Sequence, residues 1–83
     1  MPTVVRERGF RVVIYLNDHP PPHVHVKKSG KQARVGLSPV ELWDSDLSPG
    51  ETRQAVAIVE ENHDTLIASW QEMHGDSDEI NFE

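Results

Sequence analysis

The sequence predicts an α+β domain: a small, mostly antiparallel sheet of three to four strands packed against one long C-terminal helix. Three observations carry this. Residues 10–16, 23–28 and 32–37 are short runs in which apolar, largely β-branched residues alternate with other side chains. The Lys27-Lys28-Ser29-Gly30-Lys31 segment between two of them has the composition of a hairpin turn. From residue 49 to 74 the apolar residues instead recur at three- and four-residue spacings, the signature of an amphipathic helix.

Taken in order, Thr3-Val4-Val5-Arg6-Glu7 is a first strand ending at Gly9. In the second, Phe10, Val12, Ile14 and Leu16 form one face. Val13 and Tyr15 on the other face are apolar too, which places this strand centrally, covered on both sides. Residues 17–22, Asn-Asp-His-Pro-Pro-Pro, connect to the third strand, and the three prolines hold that approach extended. In His23-Val24-His25-Val26 the valines face the core and the two imidazoles share the opposite, outward face. The fourth strand, residues 32–37, turns Ala33, Val35 and Leu37 inward, so Gln32 and Arg34 join His23, His25 and Lys27 on one basic face.

Residues 38–43 are expected to form a turn or single helical turn, with Trp43 as a core anchor, and residues 44–47 a loop. Ser48-Pro49-Gly50-Glu51 combines an N-cap serine, a proline at the first helical position and a glutamate three residues after the cap. The helix that starts there buries Ala55, Val56, Val59, Leu66, Ile67 and Trp70, and Gly75 closes it. At 1.5 Å per residue it would be roughly 35–40 Å long, overhanging a small sheet and favouring a partner or a second copy. Residues 1–75 form one domain; residues 76–83 are an acidic tail in which Ile80 and Phe82 could dock on a sheet edge.

Composition narrows the function. The 83 residues contain no cysteine, which excludes disulfides and thiolate metal sites and fits a reducing cytoplasm. The first residues lack the apolar run of a signal peptide, and no stretch approaches a membrane span. The net charge of −6 conceals a division. Residues 1–37 hold seven basic residues against Glu7 and Asp18, a net +5, while residues 38–83 hold only Arg53 against twelve acidic ones, a net −11. Such asymmetry suggests a charged partner for each half. Arg11, Lys27, Lys28, Lys31 and Arg34 are the candidate binding surface, a protein or a nucleic acid being the candidate partner.

Three of the five histidines fall within residues 19–25. Imidazole is the commonest transition-metal ligand, and a catalytic zinc site takes three protein ligands plus water. His23 and His25 supply two, with His19 or Asp18 as the third, and zinc or nickel is the candidate ion. The same two histidines are the candidate acid–base catalysts for a metal-free reaction on RNA, the lysines and arginines holding phosphate. A third use is architectural, the imidazoles bonding carbonyls stranded beside the prolines. His-Val-His-Val resembles the start of the histidine-triad hydrolase motif, but Lys27 stands where that motif needs its third histidine.

Read together, Asn17-Asp18-His19, Pro21-Pro22-His23-Val24-His25-Val26 and Trp70-Gln71-Glu72 resemble the bacterial domain-of-unknown-function family 4160. Met1-Pro2-Thr3-Val4, Gly9-Phe10-Arg11 and Pro39-Val40-Glu41-Leu42 extend the likeness from Met1 to Gly75. Met73-His74 departs from the aromatic pair the family carries there. The family has no established activity. Its members are small bacterial proteins, often encoded beside a second small protein in an arrangement similar to toxin–antitoxin modules. The resemblance therefore implies an interaction module, one half of such a pair. An enzyme or metal protein built on the histidines is the alternative.

Overall fold

A computed structural model describes residues 3–75; the acidic tail and its Ile80 and Phe82 lie outside the described residues. Five strands, β1 (Thr3–Glu7), β2 (Phe10–Val13), β3 (His23–Lys28), β4 (Lys31–Leu37) and β5 (Val40–Ser45), form one antiparallel sheet in sequence order. Helices α1 (Pro49–Glu61) and α2 (His63–Trp70) follow, the last turn widening to a π-helix over Gln71–Gly75. No helix among the described residues is long and apolar enough to cross a membrane.

Two of the connections are two-residue turns with both residues at positive φ: Arg8-Gly9 between β1 and β2, and Ser29-Gly30 between β3 and β4. Turns of that shape match the right-handed twist of the flanking strands, and glycine at the second position removes the steric cost. The alternation in β3 and β4 works as expected. Val24, Val26, Ala33, Val35 and Leu37 are buried on one sheet face with Phe10, Val12 and Ile14, against Ala55, Ile58, Val59, Leu66 and Trp70 of the helices.

Five expectations are corrected. The sheet has five strands, because residues 40–45 pair with β4 instead of forming a turn. A bulge opposite Arg34 and Val35 breaks the period-two pattern there, so Leu42 is exposed and Trp43 lies outside the core cluster. The second strand stops at Val13 and leaves Leu16 69 % exposed, since the chain turns over residues 16–17. The approach to β3 is accordingly looped, not straight, and its Pro20–Pro21 peptide bond is cis. Finally the helix is two helices. Asn62 leaves helical geometry (φ −113°, ψ 20°), and its side-chain amide donates to Ile58 O and Glu7 Oε2. Apolar spacing carries through the break, which is why the two helices read as one in the sequence.

The start of α1 follows its sequence signal. Glu51 N donates to Ser48 Oγ and Ser48 N to Glu51 Oε1, closing a reciprocal cap. Ser48→Ala is expected to cost about 1 kcal/mol, read as a lower urea midpoint at unchanged slope.

Candidate metal centre

The helices cover one face of the sheet, and the other carries the charged and imidazole side chains. Direct cross-strand partners point to the same side. On the open side one row therefore runs Val13, His25, Arg34, Asp44, and a second runs His23, Gly36, Glu41. His23 and His25 do share a face. They are not exposed on it: His23 is 6 % exposed, and the His25 and Asp18 side chains only 12 % and 13 %.

The cover comes from two places. The bulge in β5 lays Trp43 over Gly36, and its indole packs on His23 with ring centroids 4.6 Å apart. At the end of α2, Trp70 reaches within 5.5 Å of the same imidazole and stacks on His74, whose Nε2 donates to the Tyr15 carbonyl. Only glycine fits beneath Trp43, because a Cβ at residue 36 would lie 2.6 Å from the indole nitrogen. Gly36→Ala is expected to push the indole off His23 at a cost of about 1–3 kcal/mol, seen as red-shifted tryptophan emission and a lower urea midpoint.

Asp18, on the long loop between β2 and β3, is the third member. Its Oδ2 accepts from Tyr15 N at 3.1 Å, and its own amide donates back to Tyr15 O. That closed turn aims Oδ1 at the imidazoles, 3.3 Å from His25 Nε2 and 3.7 Å from His23 Nε2. The three ligand atoms lie within 4.8 Å of one another. Tetrahedral zinc with bonds of 2.0–2.1 Å sets its ligands about 3.4 Å apart. Two of the separations already match, and the third closes with a small shift.

Orientation of the far atoms matters as much. His23 Nδ1 lies 3.0 Å from the Pro21 carbonyl, which can only accept, so Nδ1 carries the proton. Its Nε2 then presents a lone pair toward a carboxylate oxygen, two acceptors facing one another. Such outer hydrogen bonds fix the tautomer of metal-ligating histidines. His25 Nδ1 is buried without a partner among the described residues.

Beside the triad, Asn17, His19, Pro20, Pro21, Arg34 and Trp43 wall a cleft of about 320 Å³. His19 is exposed and stays outside the converging group, so Asp18 takes the place that the sequence left open between them. Arg34 binds Asp44 through Nε and Nη2; the hydrogen bonds hold Asp44 below the usual carboxylate range and raise Arg34. The candidate binding surface is thereby divided. Arg11, Lys27, Lys28 and Lys31 gather at the hairpin end with Arg6, while Arg34 sits at the cleft.

Sequence reasoning missed Tyr15, Trp43 and Arg6. Tyr15 anchors Asp18 through its amide, packs edge-on against His25 and accepts a hydrogen bond from Lys27 Nζ. Its position two residues beyond Val13 on the open face was the available signal. His63, by contrast, is structural, donating from Nε2 to Leu37 O at 2.6 Å.

The family model described as Domain of unknown function (DUF4160) matches residues 9–71, which include β2, the loop with Asp18, both triad histidines and Trp70. No curated protein and no solved structure matches the chain. With a match over well more than half of its 83 residues, the chain belongs to the Domain of unknown function (DUF4160) family.

Proposed function

We propose that Asp18, His23 and His25 bind a divalent transition metal, zinc or nickel, and that the cleft beside them is where this centre meets a substrate. The observation that carries this is the facing pair of acceptors, His23 Nε2 and Asp18 Oδ1, 3.7 Å apart with the proton of His23 committed to Pro21. A cation between them would satisfy both and would also meet His25 Nε2, which lies 3.3 Å from the same Asp18 oxygen. Two imidazoles and one carboxylate form the donor set of catalytic zinc sites, which leave a further position for water. When bound, such a metal supplies an activated water for hydrolysis. The chain contributes the rest: Pro21 and the Tyr15 amide aim the ligands, and Trp43 and Trp70 shield His23 from solvent.

Calorimetric titration of zinc into the metal-free protein tests this. One equivalent should bind, and saturation should raise the melting temperature, since a ligand of the native state stabilises it. The competing arrangement is an extra proton shared between His23 and Asp18, for which zinc would produce neither heat nor stabilisation.

The interaction-module reading, half of a toxin–antitoxin-like pair, is favoured by a different feature. β5 is an edge strand with Leu42 44 % exposed, a template on which a partner protein can add a strand. Purification from the native host should then bring down one stoichiometric partner, and Leu42→Lys should release it. A wild-type preparation that comes down alone counts against this reading.

A further inference from the structure

The hairpin end of the open face holds an arrangement that packing does not account for. Arg6 lies directly opposite Arg11, Arg11 opposite Lys27, and Lys27 opposite Gln32, across four adjacent strands. Like charges directly opposed in a sheet repel. Among the described residues neither Arg6 nor Arg11 has a carboxylate within ion-pair distance. Lys27 is held by the Tyr15 hydroxyl, an uncharged partner. With Lys28 and Lys31 these residues line a cavity of about 390 Å³ beside the Arg8-Gly9 and Ser29-Gly30 turns. Of the cations lining the cavity only Lys28 meets a carboxylate among the described residues, Glu51 Oε2 at 3.8 Å; Glu60, Glu61, Asp64 and Glu72 ride on the helical segments, and Glu41, Asp44 and Asp46 on or beside the β5 edge.

We infer that the Arg6–Arg11–Lys27 row is a phosphate-binding trough for single-stranded nucleic acid, whose backbone runs along β3 toward the Asp18–His23–His25 centre. The row spans about 10 Å across three strands, so its cations converge on one compact, multiply charged group. A phosphate suits that better than the single charges of an acidic polypeptide. Lys27, His25 and His23 follow one another on the same face at two-residue steps of about 7 Å. A strand held by the trough thus extends to the centre. Tyr15 against His25, and Trp43 over His23, offer aromatic surface beside that track. The trough stands without the metal; the placement of the strand for hydrolysis rests on the metal reading.

Fluorescence anisotropy of a labelled single-stranded RNA of about 12 nucleotides, in chelator, reads the trough alone, and zinc titration reads the centre alone. The wild type should bind with an affinity that falls steeply with salt. Arg6→Ser/Arg11→Ser should bind at least about tenfold more weakly, with a log–log salt slope shallower by about 1.4, the value for two lost phosphate contacts on a single strand. Its zinc affinity and circular dichroism should be unchanged. Equal RNA affinity in wild type and double variant would overturn the trough, as would displacement of the RNA by polyglutamate at equal charge concentration. Loss of zinc binding in the wild type with RNA binding intact would remove the centre and leave the trough.

Discussion

Replacing Trp70 with alanine is expected to cost about 3–5 kcal/mol, the largest effect of any single change considered for this domain. Trp70 is 5 % exposed and belongs to the core cluster. It also stacks on His74 at 4.0 Å between ring centroids, and His74 in turn donates to Tyr15 O. Truncation therefore opens a cavity at the end of α2 and loosens the loop that holds Asp18. Domains of this size have about 5–15 kcal/mol of stability in all, so the variant should unfold at much lower urea. Trp70→Phe keeps most of the volume and should recover most of the loss. A midpoint for Trp70→Ala within error of the wild type would mean that the indole does not seal the core.

Asp18→Ala is the second large effect, and it acts on zinc affinity. Loss of an outer-shell partner typically weakens metal binding by about 10–100-fold, so removal of a direct ligand should reach at least about 100-fold. Alanine also strands the Tyr15 amide, which donates to Oδ2 at 3.1 Å, so some stability goes with it. Asp18→Asn separates the two effects. Its carbonyl oxygen still accepts from Tyr15, which preserves the loop, but it lacks the charge that a cation between Oδ1 and the imidazoles requires. Urea melts should place the asparagine variant near the wild type and calorimetry should place it near the alanine variant. Wild-type zinc affinity in Asp18→Asn would show that the carboxylate is not a ligand.

How much of this was legible depended on whether each signal was local. Period-two alternation is a property of one strand and a flat register, so β3 and β4 could be read with their faces, and the Ser48–Glu51 cap needs only four residues. β5 could not be read that way. Its bulge is defined by two residues of β5 opposing one of the partner, and Trp43 turns toward His23 only because Gly36 on β4 leaves room. The break at Asn62 is set partly by Glu7, distant in sequence. In the site, the shared face of His23 and His25 was legible. The choice of Asp18 over His19 was not, because a turn closed by the Tyr15 amide makes it. Burial of the imidazoles was hidden for the same reason, since their cover comes from β5 and α2.

The sheet order β1-β2-β3-β4-β5 has a kinetic consequence. Every strand pairs with its neighbour in sequence, and three of the four links are two residues long, so the hairpins close cheaply and the domain should fold fast for a β-rich protein. The remaining link, residues 14–22, is the one that carries Asp18, and it can settle only after β2 has docked on β3. The three candidate ligands would thus come together late, on the native side of the barrier. Zinc should then slow unfolding in stopped-flow measurements and leave the folding rate unchanged; a faster folding limb would place the loop in the nucleus instead.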